Sequence, residues 1–131
     1  MELGISNIKN DFTLKVVAYM KDKYGTDPEF LWERTPDCCA FRNSQNKKWY
    51  AALMLNLPKS RFGLSDSGKT DVINLKCEPL YISLTVDGKG LFRGYHMNKE
   101  NWMSVFLDGS VEFDKVCEII DMSYEIIKNK K

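Results

Sequence analysis

The stretch KKWYAALMLNLP, residues 47–58, decides the fold class. Read with a period of two, Trp49, Ala51, Leu53, Leu55 and Leu57 fall on one face, and Tyr50, Ala52, Met54 and Asn56 on the other. That is the alternation of a β-strand, and Pro58 closes it.

Working outward, strand signals surround this one. Upstream, Phe30–Glu33 and Cys38–Arg42 read as short strands separated by Thr35-Pro36, with Asn43–Lys47 as a polar turn. Downstream, SRFGLSDSGKT (60–70) reads as a loop, followed by an alternating strand, Asp71–Cys77, with Ile73, Leu75 and Cys77 expected inward. LYISLTVDGKG (80–90) is β-branched and aromatic and ends in an Asp-Gly turn, so propensity alone makes it a strand. Helical periodicity bounds the strand-rich middle on both sides. Starting at Ile8 or Asp11 and ending at Tyr24, the residues Phe12, Val16, Tyr19 and Met20 recur at three- and four-residue steps, and Gly25 is placed to stop the helix. From Val111 to Ile127 the stripe is Val116, Ile119, Ile120, Ser123, Tyr124 and Ile127, with Ser123 expected to bond a nearby carbonyl. Helix, antiparallel strands, helix implies an α+β two-layer sandwich with both helices on one face of the sheet. The other face is then open to solvent or to a ligand.

With 131 residues the chain suffices for one sizeable core, so a single domain over 1–131 is expected. Its 44% hydrophobic and 28% charged residues match an ordinary soluble globule. The N-terminal MELGISNIKNDF lacks a basic leader and an apolar run, which argues against a secretory signal, and no segment is apolar enough to cross a bilayer. Cytoplasmic residence without membrane attachment follows by elimination. Cys38, Cys39, Cys77 and Cys117 contain no CxxC pair, so they are expected as buried structural thiols, with no metal and no cofactor. The formal charge of +1 provides no global attraction to nucleic acid, but the cations cluster in the middle of the chain. The closing KNKK reads as a solvated tail.

Three motifs invite a functional reading. GLSDSGKT (63–70) satisfies the phosphate-loop spacing, but the alternating strand that follows is the wrong context, since that loop must open a helix. A tight hairpin turn explains the same residues. His96, the sole histidine, is of the side-chain type most often used as a general base, but the spacing of Ser83, Ser104, Cys77, Asp87 and Glu100 places none of them beside it. RGYHMNKENW (93–102) interleaves rings with cations, the chemistry that holds single-stranded nucleic acid and also borders peptide grooves.

LKCEP (75–79), GYHMNKENW (94–102), LDGSV (107–111) and SYEII (123–127), preceded by KKWYAAL (47–53), together resemble the conserved blocks of the MmcQ/YjbR-like family over most of the chain. The resemblance implies a fold similar to bacterial frataxin and a helix over roughly 79–86, against local propensity. Members of that family are commonly labelled DNA-binding by structural analogy. Frataxin-like iron handling does not carry over, because the acidic residues of the last helix are interspersed with Lys115 and Lys128. Arg93 stands where the family usually has proline, adding a charge before Gly94. The candidate binding residues are Lys76, Arg93, Tyr95, His96, Lys99 and Trp102, serving nucleic acid or a protein partner. The competing readings are a nucleic-acid-binding module, a protein-interaction or regulatory domain, and, less favoured, an enzyme or small-molecule sensor.

Overall fold

A computed structural model describes residues 7–32 and 34–129. Its element order is α1 (Asp11–Tyr24), β1 (Cys38–Arg42), β2 (Trp49–Pro58), β3 (Lys69–Lys76), α2 (Pro79–Thr85), β4 (Leu91–Arg93), β5 (Trp102–Phe106) and α3 (Phe113–Lys128). The five strands form one antiparallel sheet in the order β1-β2-β3-β5-β4. α1 and α3 pack on one face, giving the expected α+β sandwich.

Local chemistry sets the helix ends. Asn10 Oδ1 accepts the N–H groups of Phe12 and Thr13 at 2.8 and 3.2 Å, which starts α1 at Asp11 rather than Ile8. Gly25, at φ 67°, ends it by donating to the Lys21 carbonyl. α3 starts at Phe113, two residues later than its periodicity suggests, and Val111 is buried just ahead of it. Pro79 occupies the first turn of α2, where its missing N–H costs nothing, so the segment is helical as the family resemblance implied. Only Ile82 of α2 is fully buried.

The main core lies between sheet and helices. Leu53, Ile73, Leu75, Met103 and Val105 meet Val16, Met20, Val116, Ile119 and Ile120, all nearly inaccessible to solvent. Ile73, Leu75 and Cys77 point inward as their alternation predicts. Polar links fasten the layers. The Ser123 hydroxyl donates to the Tyr50 carbonyl at 2.6 Å, meeting the expectation for the residue that interrupts the stripe. Asp121 on α3 accepts hydrogen bonds from Tyr19, Tyr24 and Lys23 of α1.

Two register shifts in β2 correct the alternation read from sequence. Phe41 pairs with Ala51 while Arg42 pairs with Trp49, leaving Tyr50 as an extra residue. Tyr50 therefore turns toward the helices, edge-on to Tyr24 and Tyr124, and Trp49 moves to the opposite face from Leu53. The second shift lies between Met54 and Leu57, where Asn56 takes φ 56° and donates its N–H to Asp71. Leu57 consequently packs with Met54 rather than with Leu55. The expected strand at Phe30–Glu33 is not formed over its described part. A single bridge, Glu29 to Ala40, precedes an irregular excursion, and Glu33 lies outside the described residues. The last two residues of the KNKK tail also lie outside them. GLSDSGKT belongs to a hairpin connection longer than a tight turn. A 3₁₀ segment, Lys59–Phe62, leads from β2 into it, and no helix follows Thr70.

An aromatic groove on the helix-free face

Alternation sends Val72, Asn74, Lys76, Trp102, Ser104 and Phe106 to the side of the sheet without helices. One half of that side is covered from within. Phe62 drops from the 3₁₀ segment onto Phe92, Phe106 and Tyr95, with ring centroids 5.0, 5.1 and 5.2 Å away. Met54 and Val72 lie beneath these rings in a second apolar cluster.

The other half remains a groove of about 260 Å³. Trp32 and Trp49, edge to face at 5.4 Å, form one wall, and Tyr95, His96 and Met97 form the other. Cys38, Ala52 and Met54 supply an apolar floor. Both sheet edges beside these elements are blunted. The Glu29 bridge covers part of β1, and the Asp87 carboxylate binds the N–H groups of Lys89, Gly90 and Leu91 at the entrance to the three-residue β4.

A buried polar cluster holds the second wall in place. The Tyr95 N–H donates to Ser104 Oγ at 2.8 Å, the Ser104 hydroxyl donates to Asn74 Oδ1, and Asn74 Nδ2 donates to the Tyr95 carbonyl at 3.0 Å. Asn74 and Ser104 are almost wholly buried, so each satisfies groups that would otherwise be costly in an apolar setting. Gly94 is required by close approach. A Cβ there would lie 2.8 Å from the Trp102 Cβ and 3.1 Å from the Trp102 carbonyl oxygen. His96 follows in the left-handed region, φ 59°, which swings its ring against Tyr95 at 4.0 Å.

The six candidate residues separate into three groups. Tyr95 and His96 line the groove. Lys76 and Trp102 face each other across β3 and β5, the ammonium 5.5 Å from the indole centroid. Arg93 and Lys99 lie in another depression, with Pro79, Ser83 and Glu100. Arg93 donates to the Lys99 carbonyl at 3.3 Å and Lys99 to the Gly94 carbonyl at 2.9 Å. The candidate set left out Trp32 and Trp49, which form a groove wall, and Arg61. The Arg61 guanidinium donates to the Tyr95 hydroxyl at 2.8 Å, which puts a cation on the groove rim.

Three of the five residues considered as partners for a catalytic His96 are otherwise committed. Ser104 belongs to the Asn74 cluster, Asp87 binds its own turn, and burial pushes the Cys77 thiol up to about 12. Burial likewise raises Cys39 to about 12 and Cys117 to about 11. Among the described residues no group of three or more His, Cys, Asp or Glu is placed to hold a metal ion, and no helix is long and apolar enough to cross a membrane.

A two-layer α+β sandwich with an aromatic groove on its helix-free face is thus the class of molecule these elements define. The YjbR family model matches residues 21–126, and the chain belongs to the YjbR family. It is 35% identical over 113 residues to the uncharacterized protein YyaQ of Bacillus subtilis, covering 86% of this chain and 95% of that one. A crystal structure of a Pseudomonas syringae protein superimposes with TM-score 0.82 at 34% identity, covering 91% of this chain and 99% of the other. A solution structure from the same organism gives 0.77 at 36%, with 88% and 91% covered. A Deinococcus radiodurans protein with a DUF419 domain gives 0.68 at 18%, with 90% and 79% covered, a likeness of fold alone.

Proposed function

We propose that this YjbR-family chain is a non-catalytic binding module that takes single-stranded nucleic acid on its helix-free face. The observation that carries the reading is the collection of Trp32, Trp49, Tyr95 and His96 around one apolar groove, with Arg61 touching Tyr95 at its rim. Rings of this kind stack on bases irrespective of sequence, and cations at the margin meet the phosphates. The Lys76–Trp102 pair extends the same chemistry along the sheet face. Arg93 and Lys99, beside α2, act in this reading as an outlying positive flank.

The test is fluorescence anisotropy of labelled single-stranded DNA, RNA and duplex DNA at two salt concentrations. Trp49→Ala should weaken single-strand binding about 5- to 150-fold, from a stacking contribution of about 1–3 kcal/mol per base. Arg61→Glu should lower the logarithmic salt slope by about one unit. Equal affinity for the wild type and both variants would remove the groove from the binding surface.

A second reading, docking of a protein partner, has its own observation. Leu80 and Leu84, four apart on α2, are 71% and 78% exposed. A partner captured by wild type and by Trp49→Ala but lost with Leu80→Asp and Leu84→Asp would support this reading for α2. Capture insensitive to both leucines would count against it.

A further inference from the structure

The groove's size and charge specify more than a stacking surface. At about 260 Å³ it falls just below the range of pockets for drug-sized ligands, about 300–1,000 Å³, so it has room for one planar ring system rather than a run of bases. No Asp or Glu lines it, so an anion entering meets no like charge there. The rim cations differ in availability. Arg42, beside Trp49, is committed to Glu29 and the Lys47 carbonyl. Arg61, which is exposed, bonds the Tyr95 hydroxyl and, among the described residues, forms no ion pair. One of its five N–H donors is thereby fixed, and the planar fork retains donors for a carboxylate or phosphate.

We propose that the unit recognised is a single planar aromatic ring carrying one anionic group, with the ring between the Trp32–Trp49 and Tyr95–His96 walls and the anion on Arg61. This inference rests on the groove being the working site. It makes a free aromatic acid or a mononucleotide a sufficient ligand, with no adjoining strand needed. Tyr95 then has two roles, a wall through its ring and a positioning residue through its hydroxyl.

Isothermal titration with matched probe pairs tests it: adenosine monophosphate against adenosine, and indole-3-carboxylate against indole-3-carboxamide. Each acid should bind at least about 10-fold more tightly than its neutral partner, the factor expected of a charge-assisted hydrogen-bond pair. Arg61→Met, an exposed substitution, should reduce the acid to the affinity of the neutral probe. Tyr95→Phe should cost the acid a few-fold and leave the neutral probe unchanged. Discrimination confined to the nucleotide pair identifies phosphate as the anion, and discrimination in both pairs identifies a general anion site. Equal binding within both pairs, or an Arg61→Met protein that still discriminates, would overturn the inference. Oligonucleotide binding without binding of any monomer up to about 1 mM would overturn it while sparing the strand-binding reading. Acid-selective monomer binding without oligonucleotide binding would do the reverse.

Discussion

Ser104→Ala tests how the second groove wall is held. The hydroxyl both accepts the Tyr95 N–H at 2.8 Å and donates to Asn74 Oδ1, inside a cluster almost closed to water. Removing it leaves a buried donor and a buried acceptor with one fewer partner each. Such a loss costs about 1–3 kcal/mol per group, and retention of the Asn74 to Tyr95 bond keeps the total at about 2–4 kcal/mol. For a domain of this length that corresponds to a fall in melting temperature of roughly 6–20 °C. Urea unfolding followed by circular dichroism is the assay, with an unchanged m-value showing that stability rather than compactness has changed. Asn74→Ala removes two bonds of the cluster, one of them the bond already lost in Ser104→Ala, so the double variant should cost less than the sum of the single ones. The same substitution loosens the turn carrying Tyr95 and His96, so ring binding should fall even at temperatures where the protein remains folded. A loss below about 0.5 kcal/mol, additive with Asn74→Ala, would refute the claim that this cluster anchors the wall.

Gly94→Ala should destabilise by about 1–3 kcal/mol, because the new methyl meets the Trp102 backbone and Cβ rather than a yielding side-chain tip; wild-type stability in denaturant titration would contradict this. Burial opposes ionisation of Asp121, but hydrogen bonds from Tyr24, Lys23 and Tyr19 outweigh it and hold the carboxyl below its usual range. Its contribution is therefore present above the unfolded-state carboxylate pKa and disappears as pH falls through the lower folded value. Asp121→Asn should flatten the acid limb of a plot of urea midpoint against pH, and an unchanged limb would count against the linkage. Burial raises the pKa of all four thiols, but only Cys38 is incompletely covered. Native alkylation at neutral pH should thus be slow and confined to Cys38, and stoichiometric labelling of native Cys77, read by peptide mass mapping, would contradict the core assignment.

The sheet, its flanking helices and most inward-facing residues were legible because alternation and helical period are local properties. What escaped notice depended on partners distant in sequence. KKWYAALMLNLP alternates without a break, and nothing within it announces that Tyr50 has no partner on β1 or that Asn56 is held at positive φ by Asp71. Those two shifts carry Trp49 and Leu57 to the helix-free face, and Trp49 becomes a groove wall only by that route. α2 was legible only from the family blocks, whereas its β-branched residues pointed the wrong way until Ile82 was buried against the core.

The GYH segment shows both limits at once. Tyr95 and His96 reach the groove because Gly94 permits the close crossing over Trp102, a requirement that a lone glycine does suggest. Arg93 precedes that crossing and pairs with inward-facing Met103, so strand alternation sends it to the α2 side. Adjacency in sequence thus grouped cations with rings that the sheet then separates. The groove's own cation comes instead from the connection after β2, where Phe62 sinks into the second apolar cluster and leaves Arg61 at the rim. A search for ring-and-cation motifs along the chain overlooks such a pair, because the hydrophobic drop of Phe62 is what brings Arg61 to Tyr95.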